Sequence, residues 1–360
     1  MSERLEIRVE LGPRTYPIVV GGGVLAELGP RLAALGFRGR CGVVTNDRVA
    51  ALWGEPALAS LRAEGFDPLV VTLPDGEAHK TVSSLEVVWD AMLAAGVERA
   101  TPLVGLGGGV VGDIAGFAAA TLLRGLPLVQ VPTTLLAQVD SAIGGKTGVN
   151  HPAGKNLLGA FHQPRFVLCD VDLLGTLPRR ELLAGLAEVV KYGVIGEPAL
   201  FADLEARLGA LLALERAPLV AAVAASARHK AGVVSRDEHE TTGERATLNF
   251  GHTVGHAVEQ LTGYERFLHG EAVAIGMVAA ARVSRALGRC GDEPVGRVRG
   301  LLERAGLPVE TPPELTRDAL ARAMRADKKS AGGCIRFVAM QDVGRVELVE
   351  LTSTEIANHL

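Results

Sequence analysis

A chain of 360 residues, 48% of them apolar, is long enough for two ordinary domains with a core in each. A net charge of −4 argues against a general nucleic-acid or membrane-surface binder, which requires a basic face. Charges through the first ten residues, the lack of any apolar run of about 18 residues and four scattered cysteines without CxxC spacing predict a cytoplasmic chain with reduced thiols.

Two compositional biases guide the reading. Aromatic residues make up only 4% of the chain, so Ala, Leu and Val must fill the interior. Of 37 basic residues only seven are lysine: Lys80, Lys146, Lys155, Lys191, Lys230, Lys328 and Lys329. Where Arg is the generic surface cation, the remaining lysines are candidates for tasks that need a compact point charge.

In chain order, Leu5–Leu11 and Tyr16–Val20 read as strands closed by Gly21–Gly23. Cys41–Thr45 reads as a strand followed by a helix to about Glu64. Pro68–Leu73 is a strand, Ser83–Ala95 a helix, Leu103–Leu106 a buried strand and the stretch from Val111 a helix, followed by a strand at Leu128–Val131. Such alternation predicts an α/β, Rossmann-like parallel sheet with helices on both faces and ligands at the carboxyl ends of its strands. From Leu177 the texture changes to Ala/Leu-rich helical segments at 179–195, 198–213, 217–235, 246–261, 270–288 and 294–305, with strands returning at 335–340 and 346–351. The expected organisation is a dinucleotide-binding α/β domain over 1–176 and a mostly helical, metal- and substrate-binding domain over 177–360.

Several motifs carry chemistry. Gly107–Asp113 satisfies GxGxxG after a strand and opens a helix, which brings backbone amides to a pyrophosphate. An ordinary Rossmann domain opens with this motif; here it comes late, so the fold is expected to be a variant. Alone it is weak, since a glycine-rich turn can be purely structural. Pro74–Lys80 follows a strand and places Asp75 and Glu77 where ribose hydroxyls could sit, although a charged surface turn has the same composition. Ser141–Thr147 resembles a P-loop but fails its template, because Asp140 occupies the first glycine position. That region still offers Thr133, Thr134, Asp140, Lys146, Lys155 and Asn156 to a phosphate or polyol.

In the second half, His252 and His256 stand at i and i+4 on one helix face, a common start for a zinc-type site. His269 follows before another helix. Glu188 and Lys191 lie three apart in an otherwise apolar helix, where burial without a partner would be costly. Spacing alone selects His252 and His256 as the first two metal ligands.

Taken together, DGEAHK (75–80), GGGVVGDIAGF (107–117), QVPTTLLAQVDSAIGGKTGVNHPAGKNLLGAF (130–161), AEVVKYG (187–193), NFGHTVGHA (249–257), HGEAVAIGM (269–277) and DKK (327–329) closely resemble the 3-dehydroquinate synthase family of the shikimate pathway. The departures are Leu122 for an expected tyrosine, Ala142 for an expected serine and one extra residue within 240–245. The resemblance implies a sugar-phosphate cyclase, a phosphate-eliminating lyase. It would act on 3-deoxy-D-arabino-heptulosonate 7-phosphate through an NAD that is reduced and reoxidised in each turnover, with Zn2+ or Co2+ as metal. It implies Glu188, His252 and His269 as metal ligands, which frees His256 to handle protons or face substrate. It implies NAD contacts at Asp75, Gly76, Glu77, Lys80, Gly109, Val110, Val111, Gly112, Asp113, Thr133, Thr134, Lys155, Leu173 and Thr176, with Lys146 between cofactor and substrate. Arg124, Asp140, Asn156, Lys191, Lys230, Arg245, Asn249 and Lys329 match substrate-binding positions. Arg124 would act across the interface of a homodimer. The alternatives are a cyclase making a valiolone, a deoxy-inosose or an aminodehydroquinate, a metal-dependent polyol dehydrogenase of related fold, or an inactive dinucleotide sensor. Asn249 and His256 together favour dehydroquinate formation over the first two products.

Overall fold

The computed structural model describes residues 4–327 and 333–360, which fall into two compact units. The first comprises Met1–Leu177 with Leu214–Ser235; the second comprises Pro178–Ala213 with Arg236–Leu360.

The first unit is built on strands β1 (Arg4–Val9), β2 (Tyr16–Gly21), β3 (Arg40–Asn46), β4 (Asp67–Leu73), β5 (Leu103–Gly107), β6 (Leu128–Pro132), β7 (Lys146–His151), β8 (Gly154–Phe161) and β9 (Phe166–Asp170). Seven of them form one sheet in the order β1-β2-β9-β6-β5-β3-β4, parallel except for the β1–β2 pair. The strands read as continuous apolar runs because the sheet is covered on both faces. Alternation along each strand divides the core: Val43, Val104 and Val129 pack on one face with Leu28, Leu32 and Leu61. Their neighbours Val44, Leu103 and Leu128 pack on the other with Leu85, Val88, Ile114 and Ala115. The chain leaves β3 toward β4 at one edge and returns to β5 on the opposite side of β3. The resulting switch point lies between β3 and β5, and doubly wound sheets take their ligands beyond the carboxyl ends of the strands at such a point.

Besides the unread strand β9, two departures from the sequence expectation occur here. The Ser141–Thr147 stretch, singled out for its likeness to a P-loop, leads into the antiparallel hairpin of β7 and β8, which the sequence reading did not anticipate. The hairpin's glycines permit backbone contact rather than looseness: Gly148 lies opposite Gly159, and a Cβ on Gly159 would come within 2.2 Å of the Thr147 carbonyl. The helix Arg216–Arg236, assigned by sequence to the second half, groups almost entirely with the first unit. Its polar ties explain the placement, since Arg216 grips Asp172 and Lys230 grips Asp140.

The second unit packs the helices Arg179–Ile195, Pro198–Leu212, His252–Leu261, His269–Ala286, Asp292–Ala305, Arg317–Asp327 and Ser353–Asn358 with the hairpin of β10 (Cys334–Asp342) and β11 (Arg345–Thr352). The expected helix over 246–261 is broken. A 3-10 turn covers Glu244–Asn249, Gly251 sits at φ 81°, and the α-helix starts at His252. That left-handed step suits glycine and re-aims the chain just before the first histidine. No helix among the described residues is long and apolar enough to cross a membrane.

Candidate metal and dinucleotide sites

In the second unit, three helices bring their backbones unusually close. A Cβ on Gly270 would lie 1.8 Å from the Ala184 carbonyl, and one on Gly276 would lie 1.9 Å from the Gly251 carbonyl. Helix His269–Ala286 therefore contacts both helix Arg179–Ile195 and the start of helix His252–Leu261 through bare backbone. This proximity gathers Glu188, His252 and His269. Glu188 Oε1 is 3.6 Å from His252 Nε2 and 3.6 Å from His269 Nε2. Ligand atoms around a tetrahedral ion with bonds of ~2.0–2.1 Å stand about 3.3–3.4 Å apart, so the spacing fits a zinc-type ion with only slight contraction.

The remaining ring nitrogens are occupied in the way metal-binding histidines require. His252 Nδ1 lies 3.1 Å from the Phe250 carbonyl, and His269 Nδ1 lies 3.1 Å from Glu259 Oε2. Both arrangements leave Nε2 directed toward Glu188. Burial holds the His252 imidazole down to a pKa of about 3, with Glu188 opposing. Burial also works against a charged His269, but the neighbouring carboxylates Glu188 and Glu259 outweigh it and push that group up to about 10. Lys191, 1% exposed, contacts Glu188 Oε2 and lies 4.8 Å from the Tyr192 ring centroid. A one-carboxylate, two-imidazole set is also the chemistry of catalytic zinc sites, which keep a coordination position for substrate.

His256, favoured by spacing as the second ligand, lies outside the Glu188 group and belongs to a second cluster with Glu259 and His269. Helical spacing reports which residues share a face, whereas ligation also depends on what the facing helices present. Arg245 is 2% exposed, its backbone N–H donates to Asp237 Oδ2 at 3.0 Å, and its guanidinium donates to the Glu238 carbonyl at 2.5 Å. Asn249 is half-buried at the end of the 3-10 turn. Lys329 lies outside the described residues.

In the first unit, the residues singled out in the sequence gather beyond the carboxyl ends of the parallel strands. Asp75, Gly76 and Glu77 follow β4, and Gly76 adopts φ 110°. Asp75 accepts from Asn46 Nδ2 at the end of β3 at 2.8 Å, and Glu77 accepts from Asn150 Nδ2 at 2.8 Å. Lys80 is buried; its ammonium donates to Asp113 Oδ2 and to Asn156 Oδ1, both at 2.5 Å. Burial raises the Asp113 carboxyl above its usual range, with Lys80 pulling it back. Asn46 and Asn150 escaped the sequence reading, since an amide after a strand looks like any helix cap or turn.

Gly109, Val110, Val111, Gly112 and Asp113 form the first turns of helix Gly109–Thr121, directly after β5. The N-cap is Gly108, which has no side chain to cover the first amides, so an anion can approach them. Gln130 braces the turn, donating from Nε2 to the Gly112 carbonyl at 3.0 Å. Thr133 and Thr134 follow β6; the Thr133 N–H donates to the Gly107 carbonyl at 2.9 Å. Leu173 is buried in the turn after β9, and the Thr176 hydroxyl accepts from Trp53 Nε1 at 3.0 Å. An uncovered helix start ringed by hydroxyls and carboxylates fits a dinucleotide.

The other predicted residues of this unit lie nearby in sequence. Asp140 accepts from Lys230 Nζ at 2.6 Å, and its carbonyl accepts from the same ammonium at 2.8 Å. Lys146 begins β7 and is exposed, whereas Lys155 on β8 is half-buried. Asn156 adopts φ 55°. Arg124 is exposed on a turn where Leu123, Arg124 and Gly125 have φ of 51°, 68° and 122°.

Comparison with known proteins matches residues 70–184 to the model of the 3-dehydroquinate synthase N-terminal region and residues 185–330 to that of its C-terminal region. A curated 3-dehydroquinate synthase from Methylococcus capsulatus is 54% identical over 343 residues, 95% of this chain and 94% of the relative. Among solved structures, the 2-epi-5-epi-valiolone synthase of Streptomyces hygroscopicus subsp. jinggangensis, with NAD+ and Zn2+ bound, matches at TM-score 0.88 and 30% identity, covering 97% of this chain and 96% of that one. A 2-deoxy-scyllo-inosose synthase complexed with carbaglucose-6-phosphate, NAD+ and Co2+ matches at TM-score 0.88 and 26% identity, with 98% of each chain covered. With both family regions matched in sequence over 70–330, and half of all positions shared with a curated relative along nearly its whole length, the chain belongs to the 3-dehydroquinate synthase family.

Proposed function

We propose that the chain converts 3-deoxy-D-arabino-heptulosonate 7-phosphate to 3-dehydroquinate and inorganic phosphate, as an NAD- and divalent-metal-dependent carbon–oxygen lyase. The observation that carries this reading is the convergence of Glu188, His252 and His269 at ligand spacing in a chain of this family. In this reading Glu188, His252 and His269 hold Zn2+ or Co2+, which supplies Lewis acidity toward a substrate oxygen. NAD, taken by the 75–80 segment, the Gly109–Asp113 turn, Thr133, Thr134, Lys155, Leu173 and Thr176, supplies a reversible two-electron oxidation. A ketone at C5 acidifies the hydrogen at C6, so phosphate can leave before the ketone is reduced again and the ring closes by an aldol step.

The chain's own groups bind and orient. Lys191 and Lys230 are buried ammoniums beside Glu188 and Asp140, point charges suited to anionic substrate oxygens. Arg124, Lys146, Asn156, Arg245, Asn249 and Lys329 complete the proposed substrate and cofactor contacts. His256 is the proposed proton carrier, through its imidazole nitrogens. The reading also takes the protein as a homodimer in which Arg124 serves the partner's site.

The test is phosphate release from the heptulosonate, assayed with and without added NAD and a chelator, while NADH absorbance is followed. The proposal expects phosphate without net NADH, lost on chelation. Stoichiometric NADH without phosphate would instead indicate a polyol dehydrogenase and overturn it.

A further inference from the structure

Helix His252–Leu261 carries more than one functional group on a single face. His252, His256 and Glu259 stand at i, i+4 and i+7, so all three look the same way. Glu259 is 4% exposed. A carboxylate so deeply buried is costly unless it is held by hydrogen bonds or an opposite charge. Its Oε2 lies 3.1 Å from Nδ1 of His269, on the next helix, while Nε2 of the same ring lies 3.6 Å from Glu188 Oε1. His269 is therefore gripped on one nitrogen and offered on the other.

The two histidines of the Glu188 group are oriented by different acceptors. His252 Nδ1 faces a backbone carbonyl, whose position the fold fixes. His269 Nδ1 faces a side chain, so its orientation depends on one residue and can be altered by one substitution.

We infer that Glu259 is a positioning residue for the metal centre: it accepts the Nδ1–H of His269, fixes that tautomer and aims Nε2 toward Glu188 and His252. This rests on the reading of Glu188, His252 and His269 as metal ligands. It also assigns a role to the second cluster, His256, Glu259 and His269. In this reading that group is an orienting arrangement, because Nδ1 of His269 already lies 3.1 Å from Glu259 Oε2. Carboxylate–histidine–metal arrangements of this kind raise ligand basicity and lock the ring plane.

The experiment compares Glu259→Ala, Glu259→Leu and Glu259→Gln in the full-length protein by Zn2+ binding in competition with a chromophoric chelator. NAD binding and the melting temperature of the metal-free forms serve as controls. Loss of such an orienting partner typically weakens metal binding ~10–100-fold, and that loss is expected for Ala and Leu. Gln retains an acceptor oxygen and should stay within a few-fold of the parent; NAD binding should be unchanged in all three. Parent-like zinc affinity in Glu259→Ala and Glu259→Leu would overturn the inference, as would a Gln variant as weak as the Ala variant. If His256→Ala loses zinc while His252→Ala keeps it, the second cluster is itself the metal site and the inference is also overturned. A parent protein that binds no zinc, yet releases phosphate at full rate in chelator, would remove the metal reading itself. A parent that binds zinc with Glu259→Ala unaffected would remove only the role of Glu259.

Discussion

The close glycine packing in the second unit makes Gly276→Ala a sharp test of how the metal group is assembled. The added Cβ would sit 1.9 Å from the Gly251 carbonyl oxygen and 2.8 Å from the Gly255 nitrogen. Both obstacles are backbone, so no side-chain rotation can relieve them. Reaching even 3.0 Å requires helix His269–Ala286 and the start of helix His252–Leu261 to part by 3.0 − 1.9 = 1.1 Å. Overpacking of this kind costs ~1–3 kcal/mol, and a backbone obstacle places it toward the upper end. For a unit of this size, ~3 kcal/mol corresponds to a fall in melting temperature of roughly 6–12 °C. The parting also separates His252, adjacent to Gly251, from His269, two turns before Gly276. Sites of this sort tolerate about 0.5 Å before function suffers, so zinc affinity should fall along with stability. Gly300→Ala provides the control: it lies within helix Asp292–Ala305, and its added Cβ meets nothing within 4 Å. That substitution should be neutral or stabilising by up to ~1 kcal/mol, the usual gain from Gly to Ala in a helix. Thermal unfolding and chelator-competition zinc titration on both variants give the answer. If Gly276→Ala melts and binds zinc like Gly300→Ala, the helices do not depend on backbone contact and the reasoning fails.

Two further outcomes follow from backbone geometry and charge. Arg124 at φ 68°, beside Leu123 at φ 51°, holds a conformation that costs an L-residue roughly 1–2 kcal/mol. Arg124→Gly should therefore leave the melting temperature level or slightly raised while turnover drops sharply, and a destabilised Arg124→Gly protein would contradict the strain argument. Asp237 accepts the backbone N–H groups of Thr241, Thr242 and Arg245, and the Arg245 bond above all holds its carboxyl well below the usual range. A depressed carboxylate contributes its stability above the unfolded value near ~3.9 and loses it only as pH falls through the lower native value. Hydrogen exchange in 237–245 should thus be equally protected at pH 7 and pH 4.5 in the parent and deprotected at both in Asp237→Ala; protection unchanged in that variant would refute the role.

Much of the first unit was legible because its strands are short β-branched runs, and both faces of a covered parallel sheet demand that pattern. What stayed hidden depended on pairing across long stretches of chain. The Phe166–Asp170 strand is as long as β5 and β6, but a hairpin rather than a helix precedes it, so the strand–helix alternation that marks the others is missing, although it pairs with both β2 and β6. The β7–β8 hairpin is glycine-rich, and glycine signals permissiveness before it signals a close contact. At the metal group, the charge of Glu188 within an apolar helix was visible, as were three histidines. Spacing then favoured His256 over His269, because a helix face records its own neighbours and says nothing of the helix across from it. Glu259 was invisible for the same reason, since a lone glutamate near a helix end is ordinarily a solvated residue.

The scarcity of lysine singled out residues that the fold buries. Among the described residues, the buried cations are Lys80, Lys191, Lys230 and Arg245. Five of the seven lysines lie in described segments and three of those are buried, against one of thirty arginines. Arginine is the more weakly hydrated cation and ordinarily the easier one to bury in an ion pair. A chain that uses Arg for almost every exposed charge yet places Lys in its interior is working against that preference. The partners explain why: Lys80 meets Asp113 and Asn156, Lys191 meets Glu188, and Lys230 meets Asp140. Each is a compact ammonium packed beside an acceptor, a smaller group than a planar guanidinium. Structural need alone would have been met by Arg or by an apolar residue, which often replaces a buried ion pair without loss of stability. Retaining both the charge and its small volume supports the proposed role of these lysines as contacts for cofactor and substrate.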